Sequence, residues 1–174
     1  MTLLTRRAVA ADIPALHDLI ERGFRGDATQ TGWTHESDLF DGARTDAETL
    51  AAIIGQPQSR LLVAERDGAI VASVQVTDCG DGLAYLGLLC VDAALQAGGI
   101  GRAMIDIAEA TARDAFGARR MEMTVIDRRP ELIEYYRRRG YAPTGEVRAL
   151  PAIAGASRVP VALLVLDRDL VGAA

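Results

Sequence analysis

Seven consecutive residues, Gln96, Ala97, Gly98, Gly99, Ile100, Gly101 and Arg102, carry the plainest chemical signal in the chain. Three glycines within four positions stand at the mouth of a long amphipathic helix. The first N–H groups of a helix have no partner inside it, and where side chains are absent an anion can approach them closely. The pattern predicts a phosphate-binding turn. The other reactive side chains offer less. Cys79 and Cys90 are the only cysteines, His17 and His35 the only histidines. Their spacing indicates neither a metal site nor a disulfide, and Cys90, inside an apolar run, reads as a buried thiol.

The elements that must position this turn follow from periodicity. Residues 3–9 form a plausible strand, and Asp12 can cap a helix with Ile13, Leu16, Ile20 and Phe24 on its apolar face. Residues 25–44 read as a loop with a short helix begun by Thr34. Thr45 and Glu48 match a capping box for a helix presenting Leu50, Ile53 and Ile54. Asp67-Gly68 between two β-branched runs, 60–65 and 69–77, predicts a hairpin, and a third strand, Leu83–Val91, continues it as an antiparallel meander. The turn and its helix, ending near Phe116, connect this strand to 119–126, which places the two side by side and parallel. A helix from Pro130 to about Arg139 is ended by Gly140, and strands follow at 141–147 and 159–166. The fold class is mixed α/β. We expect a strongly curved, mainly antiparallel sheet of about six or seven strands, with one parallel β-α-β crossover and helices on both sides.

The 174 residues suit a single domain spanning 1–174. A net charge of −5 argues against broad nucleic-acid binding, which needs a basic surface. The start, MTLLTRRAVAADIPAL, lacks the apolar core of a signal peptide, and no stretch approaches a membrane span of roughly 20 apolar residues. The expectation is a cytoplasmic protein without a membrane partner. Strand 159–166 either pairs across a homodimer or lies inside the sheet.

Two motifs carry a resemblance that covers nearly the whole chain. Val91 is followed by Gln96, Gly99 and Gly101 at the offsets of a strand, Gln/Arg-x-x-Gly-x-Gly/Ala turn and helix. Val125 is followed by Tyr-Tyr-Arg-Arg-Arg-Gly-Tyr at 135–141 without a gap. In these respects the chain resembles the GNAT N-acetyltransferases. A dinucleotide-binding fold would need a third glycine where Met104 stands, and repeated parallel units in place of a meander.

The resemblance implies a donor, acetyl-CoA or another acyl-CoA, as co-substrate, and no metal. It implies that the N–H groups of residues 96–102 hold the pyrophosphate and that the strand edge at Leu89, Cys90 and Val91 meets the pantetheine arm. Tyr136 corresponds to the tyrosine that protonates the departing thiolate; otherwise it covers the core face of its helix. Relatives often carry a carboxylate base on the strand before the turn, and Leu83–Val91 has none. Glu122 on the next strand is a candidate base, as are Asp38 and Glu36 from the loop, each of which also reads as a solvated charge. Where the family often has an asparagine that bonds the CoA arm, this chain has Arg129, an alternative phosphate contact. Trp33, Asp38 and Phe40 are candidate acceptor contacts, with Tyr85 and Thr124 on the two strands that flank the cleft.

The function these implications support is N-acyl transfer to the primary amine of a small molecule by direct attack in a ternary complex. Acylation of a protein N-terminus or lysine is the enzymatic alternative. A non-catalytic acyl-CoA sensor is the alternative from another class.

Overall fold

The Asp67-Gly68 turn, at φ +53° and +79°, is the left-handed pair that a two-residue hairpin requires. It joins β3 (Ser59–Arg66) to β4 (Ala69–Asp78), and β5 (Leu83–Val91) completes the meander. This computed structural model describes residues 3–26, 36–151 and 156–172. β1 (Leu4–Arg7) pairs antiparallel with β3, and β6 (Arg120–Ile126) follows the crossover helix α3 (Ile100–Phe116) to lie parallel to β5. β9 (Leu163–Asp169) inserts between β6 and β7 (Ala142–Arg148), giving a seven-stranded sheet in the order β1-β3-β4-β5-β6-β9-β7.

Helices cover both faces. Met104, Ile105 and Ala108 of α3, with Tyr136 of α4 (Pro130–Arg137), pack on one face against Met121, Met123 and Leu166. Leu16, Leu19 and Ile20 of α1 (Ile13–Arg25), with Leu50 of α2 (Ala47–Gly55), pack on the other against Leu61 and Val63.

Local details depart from the sequence expectation in two places. The cap of α2 is Asp46, one residue after the expected Thr45; it accepts the Thr49 N–H at 2.7 Å, while Glu21 of α1 accepts the N–H groups of Arg44 and Thr45. The last strand starts at Leu163; before it, Ala156–Ser157 forms β8, paired with β2 (Phe40–Asp41), and Pro160 has no N–H for a ladder. β9 is paired on both sides, so it is not a free edge. The short helix expected from Thr34 begins outside the described residues.

The most consequential irregularity lies in β5. Ser73 pairs with Cys90 and Gln75 with Gly87, so Val74 faces two residues, Leu88 and Leu89. That bulge reverses the alternation. Ala84 and Leu86 join the α3 side and Leu88 the α1 side, after which Leu89 and Val91 return to the α3 side. Leu88 takes φ +46°, a conformation rare for a bulky side chain, and its carbonyl accepts the hydroxyl of fully buried Ser73 at 3.0 Å.

Candidate active site

β5 and β6 pair only at Leu83 with Arg120, Ala84 with Met121 and Tyr85 with Glu122. Beyond that point the two strands separate, and a cavity of about 560 Å³ opens between them. Leu86 to Leu89 line one wall and Met123 to Ile126 the other, with Leu132 and Tyr136 of α4 behind. Phe24 and Arg25 of α1, Thr49 and Ile53 of α2, and Phe40 of β2 line the side opposite α4. At the fork the Tyr85 hydroxyl and Thr124 Oγ1 stand 2.7 Å apart, tying β5 to β6 where their backbone ladder ends.

Tyr136 lines this cavity and is only 6% exposed. Its ring meets Tyr135 and Tyr141 edge-on, at centroid distances of 5.3 and 6.2 Å. Burial, with the neighbouring Tyr135, pushes its phenol well above the ordinary value, so the hydroxyl keeps its proton at any physiological pH.

The glycine-rich turn lies at the N-terminus of α3. Ala97 at φ +75° and Gly99 at φ +78° give it a left-handed course, and at Gly99 a side chain would be strained although nothing stands within 4 Å of it. Among the described residues no group accepts from the N–H of Ala97, Gly99, Ile100, Gly101 or Arg102. These donors, with the positive end of the helix dipole, suit an anionic group. A recess of about 220 Å³ beside them is lined by Gly98, Gly99, Ile100 and Ala103. The Gln96 side chain instead donates to the Val91 carbonyl at 3.1 Å, clamping the turn to the end of β5. Arg102 points outward, its side chain 74% exposed near Asp106.

The remaining expected residues divide. Arg129 lines the cavity with its guanidinium 2.9 Å from Glu131. Phe40, Tyr85 and Thr124 line it also. Asp38 is exposed and does not, and Trp33 lies outside the described residues. Cys90 is fully buried on the α1 side, its thiol 3.6 Å from the Leu19 carbonyl, and it does not line the cavity. Glu122 does not line the cavity. Arg148 grips both its oxygens, at 2.8 and 3.2 Å, and this engagement leaves it poorly placed to take a proton from a substrate. The sequence reading also missed Gln75, Gly87 and Ser73. The alternation of Ser73, Gln75 and Thr77 within an apolar strand was the available signal.

Two carboxylates line the cavity among the described residues. Glu36 is paired with Arg25 at 2.9 Å, and Asp46 is held below the usual carboxylate range by the Thr49 N–H. No group of three His, Cys, Asp or Glu residues suited to a metal occurs among the described residues, and none of their helices is long and apolar enough to cross a membrane.

A strand fork with an adjoining helix N-terminus of unpaired N–H groups is the arrangement the resemblance implies, and the acetyltransferase (GNAT) family model matches residues 14–141. The chain belongs to the GNAT family. It is therefore an N-acetyltransferase by family. Solved structures agree in fold. The ribosomal-protein-S18-alanine N-acetyltransferase of Escherichia coli is 15% identical, with TM-score 0.70, covering 99% of this chain and 97% of that one. YncA of Salmonella typhimurium, solved with its cofactor acetyl-CoA, is 17% identical, with TM-score 0.71 and coverage of 100% and 97%. The PaiA N-acetyltransferase of Thermoplasma acidophilum, in complex with coenzyme A, is 13% identical, with TM-score 0.70 and coverage of 97% and 99%. A search of curated protein sequences gives no significant match.

Proposed function

We propose that this GNAT protein transfers an acetyl group from acetyl-CoA to the primary amine of a small molecule, both substrates being bound together. The observation that carries this reading is the fork between β5 and β6: the ladder stops at Tyr85 and Glu122, and Tyr136 lines the space beyond. The free edge of β5 from Leu86 to Leu89 offers backbone groups to the pantetheine amides, and the bare N–H groups of Gly99 to Arg102 suit the pyrophosphate. That two neighbours of the same fold are solved with acetyl-CoA and coenzyme A supports this choice of donor.

Acetyl-CoA supplies the activated thioester. Within the bulge, an N–H near Leu89 donates to the developing oxyanion, and the backbone there is held in advance by Ser73. Tyr136 holds the proton for the departing sulfur. Glu36 and Asp46 are engaged by Arg25 and Thr49, so we assign no side-chain base; the amine reacts in its neutral form or passes its proton to water. The walled shape of the cavity, closed on one side by α1, α2 and Phe40, favours a small acceptor over a protein segment.

The test is CoA release from acetyl-CoA with tyramine, putrescine, glycine and L-methionine. Turnover with at least one amine is expected, falling roughly 100-fold or more in Tyr136→Phe as for loss of a general acid. Tight acetyl-CoA binding without turnover on any amine would favour a sensor.

A further inference from the structure

We propose that the acceptor nitrogen is held beside Gly87, between the side-chain oxygen of Gln75 and the ring of Tyr85; this rests on the transferase reading above. Gln75 Nε2 donates to Ser59 Oγ at 3.1 Å and to Thr77 Oγ1 at 3.2 Å. An amide nitrogen carries two hydrogens, so both are engaged and Oε1 is left as a pure acceptor. Gln75 lines the cavity, and no described residue donates to that oxygen.

Gly87 is the strand partner of Gln75. A methyl group there would stand 3.7 Å from Gln75 Oε1 and 3.2 Å from Tyr85 Cε1. The missing side chain thus leaves a space about one heavy atom wide, bounded by an acceptor oxygen and an aromatic ring. The Thr124 contact fixes the ring in that position. A primary amine has two N–H groups and can satisfy both boundaries, one on the oxygen and one toward the ring. An alcohol or thiol has a single hydrogen and satisfies only one. Leu88 and Leu89, next in the chain, form the bulge where the oxyanion contact is proposed, so a nitrogen beside Gly87 lies next to the carbon it must reach.

The experiment compares wild-type protein with Gln75→Leu, Gln75→Glu and Gly87→Ala, using tyramine, putrescine, glycine and L-methionine, and determines KM for amine and for acetyl-CoA separately. Gln75→Leu is expected to raise the amine KM about tenfold, as for loss of one hydrogen bond to a polar partner, and to leave the acetyl-CoA KM unchanged. Gly87→Ala, which fills the space on a backbone without positive φ, is expected to do the same. Gln75→Glu keeps an acceptor oxygen and is expected to retain the wild-type amine KM; a rise equal to that of Gln75→Leu would mark the effect as structural and overturn the proposal. Should Gln75→Leu fail to fold, Gly87→Ala decides. An unchanged amine KM in the folded variants, with normal wild-type turnover, overturns this proposal alone. Absence of wild-type turnover on all the amines counts against the transferase reading and removes this proposal with it.

Discussion

The hydroxyl of Ser73 donates to the carbonyl of Leu88 at 3.0 Å, in the fully buried heart of the sheet, and Leu88 is the residue forced to φ +46°. A left-handed leucine costs on the order of 1–2 kcal/mol, so the bulge needs a compensating contact to stay in one conformation. Ser73→Ala removes that contact and leaves a buried carbonyl without its partner. It is expected to lower unfolding free energy by about 1–3 kcal/mol in denaturant titration, and to lower kcat more than either KM. Unaltered kcat in the folded variant would show that the bulge needs no latch for catalysis.

Glu122 separates a structural carboxylate from a catalytic one. Its two oxygens are engaged by Arg148, which also binds Glu146 at 2.7 Å, so the ion pair bridges β6 and β7 across the intervening β9 and does not line the cavity. Glu122→Gln is expected to cost about 1 kcal/mol of stability, since Arg148 remains partly solvated, and to change kcat far less than the roughly 100-fold or greater loss that removing a general base brings. A loss of that size, with the fold intact by circular dichroism, would restore Glu122 as the base.

The pH dependence should belong to the substrate. Burial holds the Tyr136 phenol above its ordinary value of 10.0, so its proton is retained throughout the assay range. Asp46 is shifted the other way, by the Thr49 N–H, and is already ionised at neutral pH. The remaining titration is that of the amine, whose neutral fraction grows as pH rises. The expected profile of kcat/KM therefore climbs with pH toward the amine's own pKa, shifts when the amine is changed, and shows no fall from Tyr136 below about pH 10. A fixed limb near neutrality, common to all amines, would reveal a protein base.

Gly99 tests the anion site. Its φ of +78° makes any side chain strained, nothing stands within 4 Å of the position a side chain would take, and no described group accepts from the adjacent turn N–H groups. Gly99→Glu is expected to raise the acetyl-CoA KM more than tenfold through charge repulsion at that mouth, with a stability loss of about 1–2 kcal/mol from the left-handed backbone. Unchanged acetyl-CoA affinity would refute the pyrophosphate assignment.

Elements whose signals are local were legible in the sequence. The Asp67-Gly68 hairpin between its β-branched flanks and the glycines before α3 each depend on neighbours a few residues away. The bulge was not legible, because what fixes Leu88 is Ser73, 15 positions earlier on another strand, and the run Leu86 to Val91 is apolar on both faces. The fate of Glu122 depended likewise on Arg148, 26 positions later, whose pairing across the sheet leaves no mark in either segment. The fork itself was implied by the family resemblance, but Gln75 and Gly87, which only pairing of β4 with β5 brings together, were not singled out.

A crystal structure with CoA bound tests the central claim most directly. The expected result has the pyrophosphate on the N–H groups of Gly99 to Arg102, the pantetheine amides along the free edge of β5 from Leu86 to Leu89, and the sulfur within hydrogen-bond reach of the Tyr136 hydroxyl. CoA bound away from the fork, or a sulfur remote from Tyr136, would contradict it.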